Sequence, residues 1–330
     1  MAPPTGTAST HARQRNPPHA AWNIVQAAAS AAERLSRAGK PETFAMADEN
    51  DLRVVAAEDP DALIAWRPGS AWETCLPADD PRRALLDLYL PVCSATMARP
   101  VVVGHLGQSL DGFIATHAGE SQWVTGDENL RHLHRLRALC DAVVVGAGTI
   151  AADNPQLTTR LVPGSNPLRV VLDPMRRLGA RYRVFEDDSA ETLYVCGRSF
   201  MRPHERHFGR ATMTAVADTP EGLDVGAIVR LLQERGCMRI FVEGGGVTVS
   251  RFFEANLLDR LHLAVAPLFI GDGRPAIRLP PRSALRDCHR PRYRVFRMGA
   301  DMLFDFDLRS AGEDAATSEV DVQPSVTRVI

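Results

Sequence analysis

The chain has 330 residues, 45% hydrophobic and 24% charged, with a formal net charge of −2. That composition suits a globular protein with one large domain and an appendage, or two small domains. It excludes a global basic field for nucleic acid, and no apolar run is long enough to span a bilayer.

Residues 1–20 read as a disordered start: Met1–Ala32 has no acidic residue and no Arg-rich amphipathic face, which favours a floppy Pro-rich segment over a transit peptide. Residues 21–95 read as an accessory region. Ala21–Ala38 is Ala-rich and helical up to Gly39, Leu52–Ala56 and Ala62–Trp66 are strand-like, and Pro81–Leu90 is helical before a linker, Pro91–Pro100. Beyond it, apolar runs alternate with helical ones. Strands are expected at Val101–Leu106, Ala142–Val145, Leu168–Leu172, Thr192–Val195, Arg239–Val242 and Leu261–Ala266. Helices are expected at Thr125–Ala138, Asp224–Glu234 and Val247–Leu258. Tyr293–Met298 and Met302–Leu308 form a closing hairpin across Gly299-Ala300-Asp301. This alternation predicts an α/β fold with helices on both faces of the sheet and an antiparallel edge at its end. Residues 310–330 are polar and aperiodic, a disordered tail.

The cysteines (Cys75, Cys93, Cys140, Cys196, Cys237 and Cys288) contain no C-x-x-C pair and read as reduced cytoplasmic thiols. Lys40 is the only lysine among 38 basic residues, so lysine chemistry is absent from the rest of the chain.

The strongest local signal is Glu243-Gly244-Gly245-Gly246-Val247-Thr248, between a strand and a helix. Such a turn lets backbone N–H groups approach an anion at a helix start; taken alone, it fits phosphate binding and a plain tight turn equally. Gly146-Ala147-Gly148-Thr149-Ile150-Ala151 competes as a dinucleotide fingerprint, with Asp173 ending the next strand. Asp153-Asn154-Pro155 argues against it, because proline cuts the following helix to about one turn. Ser109-Leu110-Asp111-Gly112 is a turn pattern, Thr125 and Glu128 have capping-box spacing, and Asp153 is either a local turn residue or a group facing a ligand.

In order along the chain, Ser-Leu-Asp-Gly, Gly-Glu-Ser-Gln-Trp-Val-Thr, His-Arg-Leu-Arg-Ala, Val-Gly-Ala-Gly-Thr-Ile-Ala-Ala-Asp-Asn-Pro-Gln-Leu-Thr, Leu-Arg-Val-Val-Leu-Asp and Val-Glu-Gly-Gly-Gly closely resemble the reductase half of the bifunctional riboflavin-specific deaminase–reductase family. The resemblance runs from Arg99 to Leu308. It implies a dihydrofolate-reductase-like domain over 99–309, with a mixed, mostly parallel sheet and a C-terminal antiparallel hairpin. It also implies NADPH as hydride donor, a homodimer, and reduction of a phosphoribosylamino-uracil to its ribitylamino product through an opened, imine form of the sugar.

By matching position, the resemblance assigns Gly107, Trp123, Thr149, Asp153 and the loop Gly244, Gly245, Gly246, Val247, Thr248 up to Arg251 to the NADPH side. It assigns Ser121, Arg137, Leu157, Arg160 and Glu243 to the substrate. Arg137 and Arg160 are then phosphate forks, Trp123 an aromatic wall, and Arg198 a candidate for the cofactor 2′-phosphate. His105, Asp153 and Glu243 fall at the reaction centre. The chain departs from the family pattern at His105, where a lysine is usual, at Asn154 for Asp, and at Pro174 for a Ser-like residue. His105 is expected to serve as a cation or general acid, its pKa raised by Asp153 and Glu243. The zinc motifs of the partner deaminase are missing, so residues 1–95 are expected to hold no zinc. Two rival readings remain: the same fold acting on a related pyrimidine or pterin, and a non-catalytic ligand-binding protein.

Overall fold

The computed structural model describes residues 18–69 and 71–309. The expected disordered tail and residues 1–17 of the expected disordered start lie outside the described residues. Backbone contacts divide the chain into two compact units, Met1–Ser94 and Ala95–Ile330.

The first unit comprises α1 (Pro18–Ala38), β1 (Glu42–Met46), β2 (Leu52–Val55), β3 (Ile64–Trp66), β4 (Trp72–Thr74) and α2 (Arg83–Cys93). Its strands form an antiparallel sheet in the order β2-β1-β3-β4. Helix α1 starts three residues before the expected Ala21 and buries Trp22, Val25, Ala28, Ala32 and Leu35 at helical spacing. The Trp22 ring meets Tyr89 of α2 edge-on, with centroids 5.6 Å apart. Helix α2 continues through Pro91 into the segment expected to be linker. Burial of Leu86, Leu88, Tyr89, Leu90 and Val92 outweighs the N–H that Pro91 lacks.

The second unit begins with β5 (Val101–Ser109), β6 (Phe113–Thr116), α3 (Asp127–Leu139), β7 (Ala142–Gly146), α4 (Ala147–Asp153), β8 (Leu168–Leu172), α5 (Arg183–Glu186) and β9 (Thr192–Gly197). It continues with β10 (His207–Phe208), β11 (Ala211–Val216), β12 (Asp218–Thr219), β13 (Gly222–Leu223), α6 (Val225–Glu234), β14 (Arg239–Glu243) and α7 (Gly246–Glu254). It closes with β15 (Arg260–Ala266), β16 (Gly273–Pro275), β17 (Arg292–Met298) and β18 (Asp301–Asp307).

Ten strands form one sheet in the order β10-β11-β9-β8-β7-β14-β5-β15-β18-β17. The run from β11 to β15 is parallel, while β10 and the β17–β18 hairpin are antiparallel edges. The expected mixed, mostly parallel sheet with a C-terminal hairpin is therefore observed. The parallel strands are Val-rich because both faces are covered. On one face Val102, Val144, Val170, Val195, Ile240 and Val242 pack with Ile228 and Leu232 of α6 and Val249 and Phe252 of α7. Helix α3 packs against β14. Strands β1, β4, β6, β10, β11, β12, β13 and β16 were not foreseen; apart from β1 and β11 they have two to four residues, too short for a readable alternation.

Asp224 caps α6 by accepting the Ala227 N–H at 2.9 Å. Asp224→Ala should lower the unfolding free energy by about 1 kcal/mol, read as a lower urea midpoint at unchanged slope.

Candidate functional site

Strands β7 and β14 are neighbours, yet the chain leaves β7 through α4 toward β8 and leaves β14 through α7 toward β15, which lies beyond β5. The connections part here, and open α/β sheets take ligands in the crevice at such a point. The two helix starts lie close together. A Cβ at Gly146 would sit 2.5 Å from Thr248 Oγ1, and one at Gly245 2.9 Å from Thr149 Oγ1. Gly244 and Gly245 have φ of 61° and 68°, a region costly for other residues. A side chain at Gly246 would collide with the backbone carbonyls of Pro275 and Ala276. The turn is therefore kept thin, and the first N–H groups of α7 are available to an anion.

Around this point lies a cleft of about 1070 Å³. It brings together His105, Gly107, Ser121, Thr149, Asp153, Glu243 and Gly244–Thr248 from the residues expected on sequence grounds, and Arg251 at the end of their loop. Asp153 is the last residue of α4 and accepts the Ser121 hydroxyl at 3.1 Å. Arg177, Arg274 and Arg278 also line the cleft. Sequence reasoning missed these three, since their segments carry no motif.

Trp123, Arg137, Leu157 and Arg160 are not part of the cleft lining. Trp123 is 78% exposed with φ of 71°, so it is not an aromatic wall in this conformation. Leu157 is fully buried. Arg160 turns back on Thr158, donating to its hydroxyl at 2.6 Å. Arg137 is buried and its fork is already engaged: Nε donates to Glu243 Oε2 at 2.8 Å, Nη2 to Glu243 Oε1, and Nη1 to the Thr158 carbonyl at 3.2 Å. Three of its five N–H groups are thus committed to protein acceptors. Arg198 does not line the cleft either, although Ser199 and Phe200 do.

The capping box expected at α3 does not form. Thr125 Oγ1 instead accepts from Asn129 Nδ2 at 2.8 Å, Glu128 pairs with Arg131, and the Gly126 N–H goes to the buried Asp301 carboxylate at 2.7 Å. The dinucleotide-fingerprint alternative also fails. Helix α4 stops at Asp153 with Asn154 in the left-handed region, and the buried Asp173 turns Oδ2 to the Leu178 N–H and the Tyr194 hydroxyl.

His105 lies in the cleft wall, but its expected raised pKa is reversed. Burial lowers it to about 4; the His262 and Arg137 charges add to the fall, and the Asn129 hydrogen bond and Glu243 oppose it. His134 is likewise lowered to about 4, first by burial and then by Arg137 and Arg160, and its Nδ1 accepts the Arg160 N–H at 2.9 Å.

A family model described as the RibD C-terminal domain matches residues 100–295. A 2,5-diamino-6-ribosylamino-4(3H)-pyrimidinone 5′-phosphate reductase of Methanothermobacter thermautotrophicus is 32% identical over 219 residues, covering 64% of this chain and 99% of that protein. Riboflavin biosynthesis protein RibD of Chlamydia trachomatis is 33% identical over 184 residues, covering 54% of this chain and 49% of its own; the chain thus spans about half the length of that relative. The crystal structure of a diaminohydroxyphosphoribosylaminopyrimidine deaminase/5-amino-6-(5-phosphoribosylamino)uracil reductase from Thermotoga maritima superposes with a TM-score of 0.53 at 28% identity, over 68% of this chain and 60% of that one.

Arg137→Met leaves the Glu243 carboxylate buried without its partner. It should lower the unfolding free energy by about 3–5 kcal/mol, measured by denaturant titration. The histidines set an acid limit. Between the unfolded pKa near 6.5 and the folded value of about 4, the unfolded chain binds more protons at His105 and His134 than the native one does. Stability should therefore rise with pH across that window and be lost as pH falls through it. Melting temperatures should show this slope, and His134→Gln should make it shallower.

Proposed function

Since the chain belongs to the RibD C-terminal domain family, we propose that it reduces a phosphoribosylamino-pyrimidine to its ribitylamino product, with NADPH as hydride donor, in riboflavin biosynthesis. The observation that carries this reading is the crevice where the connections from β7 and β14 part, with its thin glycine turn and Glu243 at its edge.

The residues present fit a dinucleotide phosphate. Gly244–Gly246 offer N–H groups at the start of α7, and Thr149 and Thr248 bring hydroxyls to the same spot. Arg177, Arg251, Arg274 and Arg278 line the same cleft, and their positive charge favours NADPH, with its additional phosphate, over NADH. A bound nicotinamide supplies the hydride for the sugar C1′. On the substrate side, Ser121 and Asp153 form a polar pair that can hold sugar hydroxyls, and His105 faces the same space. Asp153 is exposed, so its carboxylate accepts from a ligand without a burial penalty. Glu243 is held by the Arg137 fork and gives the cleft wall an acceptor that cannot rotate.

Loss of NADPH absorbance with the ribosylamino substrate tests the reading; turnover is expected with it and not with dihydrofolate. Gly245→Val should weaken NADPH binding at least about tenfold, because a β-branched residue resists positive φ and meets Thr149. Calorimetry beside circular dichroism checks this. Undiminished affinity in a folded variant would make the turn purely structural.

A further inference from the structure

One row of polar side chains crosses the sheet beneath α3. Register places Glu243 of β14 beside His105 of β5, His105 beside His262 of β15, His262 opposite Asp305 of β18, and Asp305 opposite Arg294 of β17. Glu243, His105, His262 and Asp305 are all buried. A buried polar row persists only where its groups satisfy one another.

Helix α3 supplies the partners. His105 Nε2 lies 2.9 Å from Asn129 Oδ1, and His132 Nε2 lies 3.1 Å from His262 Nδ1. The His132 ring packs against both others, with centroids 5.3 Å from His105 and 5.0 Å from His262. His262 Nε2 is 3.3 Å from Asp305 Oδ1; the ring is off hydrogen-bond alignment, but a carboxylate at that range keeps a proton on the facing nitrogen. Asp305 is in turn held by Arg260 Nε at 2.9 Å and Arg294 Nη2 at 2.8 Å.

These partners assign the proton on His105. Asn129 Nδ2 donates to Thr125 Oγ1, which turns the Asn129 carbonyl toward His105, so His105 donates from Nε2. The charged and titratable groups facing the ring are Glu243 from β14, His262 from β15, and His132 and Arg137 from α3. Nδ1 is then a bare lone pair. It has no hydrogen-bond partner among the described residues and is not among the fully enclosed polar atoms, and His105 lines the cleft.

We propose that His105 Nδ1 accepts a hydrogen bond from a substrate hydroxyl, and that Asn129 and His262 are positioning residues that hold the ring in this acceptor state. The identity of the substrate rests on the reductase reading above; the state of the ring does not. A hydroxyl both gives and takes a hydrogen bond, so it fits this acceptor as well as the lysine that the family resemblance places here. A phosphate oxygen has no proton to give and is not bound at this atom.

Proton–nitrogen NMR of the histidine rings in the full chain, without ligand, reads the tautomer, and His105→Gln assigns the signals. The expected result is a neutral His105 protonated on Nε2, with no titration between about pH 5.5 and 8. His262→Leu should mix the two tautomers. It should also raise KM for the ribosylamino substrate about tenfold while kcat changes less than about threefold, the pattern of a binding interaction that ground and transition states share. His262→Gln presents an N–H to Asp305 and a carbonyl to His132, and should restore both readouts. A merely structural role would lower the melting temperature and leave the His105 nitrogen shifts unmoved. A proton on Nδ1, titration in that range, or wild-type shifts and KM in His262→Leu would overturn the proposal. The ring spectrum needs no turnover, so the expected tautomer in a protein that oxidises no NADPH counts against the reductase reading while supporting the row.

Discussion

A carboxylate at the end of a buried parallel strand has to be answered by a cation, and Glu243 is answered by Arg137. Much of the second unit follows from that pair. Both carboxylate oxygens are taken by one guanidinium fork, a planar match that a lysine does not make. The pair fixes the rotation of α3 about its own axis. The same helix carries Asn129 and His132, about 2.2 and 1.4 turns before Arg137, and these reach His105 and His262. The same pair anchors the residue from which the glycine turn departs, so the start of α7 is held against the end of β14.

The sheet carries two different faces because of this arrangement. Beneath α6 and α7 the alternate residues are valine, isoleucine and leucine, and hydrophobic burial alone holds the layers. Beneath α3 the matching positions include a carboxylate and two imidazoles. Paired charges close the row at both ends: Arg137 with Glu243, and Arg260 and Arg294 with Asp305. Between them His105 and His132 are kept neutral by burial near physiological pH, which avoids stranding a charge in the interior.

The sheet was legible in the sequence because parallel strands covered on both faces leave uninterrupted apolar runs, as at Ala142–Val145 and Leu168–Leu172. The glycine turn was legible because few residue types accept its backbone. The contacts that assign roles were not. His105 and His262 are far apart in sequence, and only register places them side by side. Nothing local marks Arg137 as a structural partner rather than a phosphate fork; the distinction depends on Glu243, 106 positions later. The cation expected at His105 failed for the same reason, since its neighbours in sequence are apolar and its neighbours in space supply first of all burial, which lowers its pKa. Strands of two residues such as β10, β12 and β13 exist only through tertiary pairing and carry no pattern of their own.

Engagement of Arg137 also decides where positive charge remains in the cleft. It comes from Arg177 after β8, Arg251 near the end of α7, and Arg274 and Arg278 in and beyond β16. None of these belongs to the strand row beneath α3, whose cations are consumed by Glu243 and Asp305. These arginines and the N–H groups at the start of α7 thus share the cleft with a wall at His105 and Asn129 that is neutral. Such a division suits a site in which charge supplies affinity from one set of segments and a rigid polar surface supplies orientation from another. The rigidity of that surface traces back to the ion pair that locks α3 onto β14.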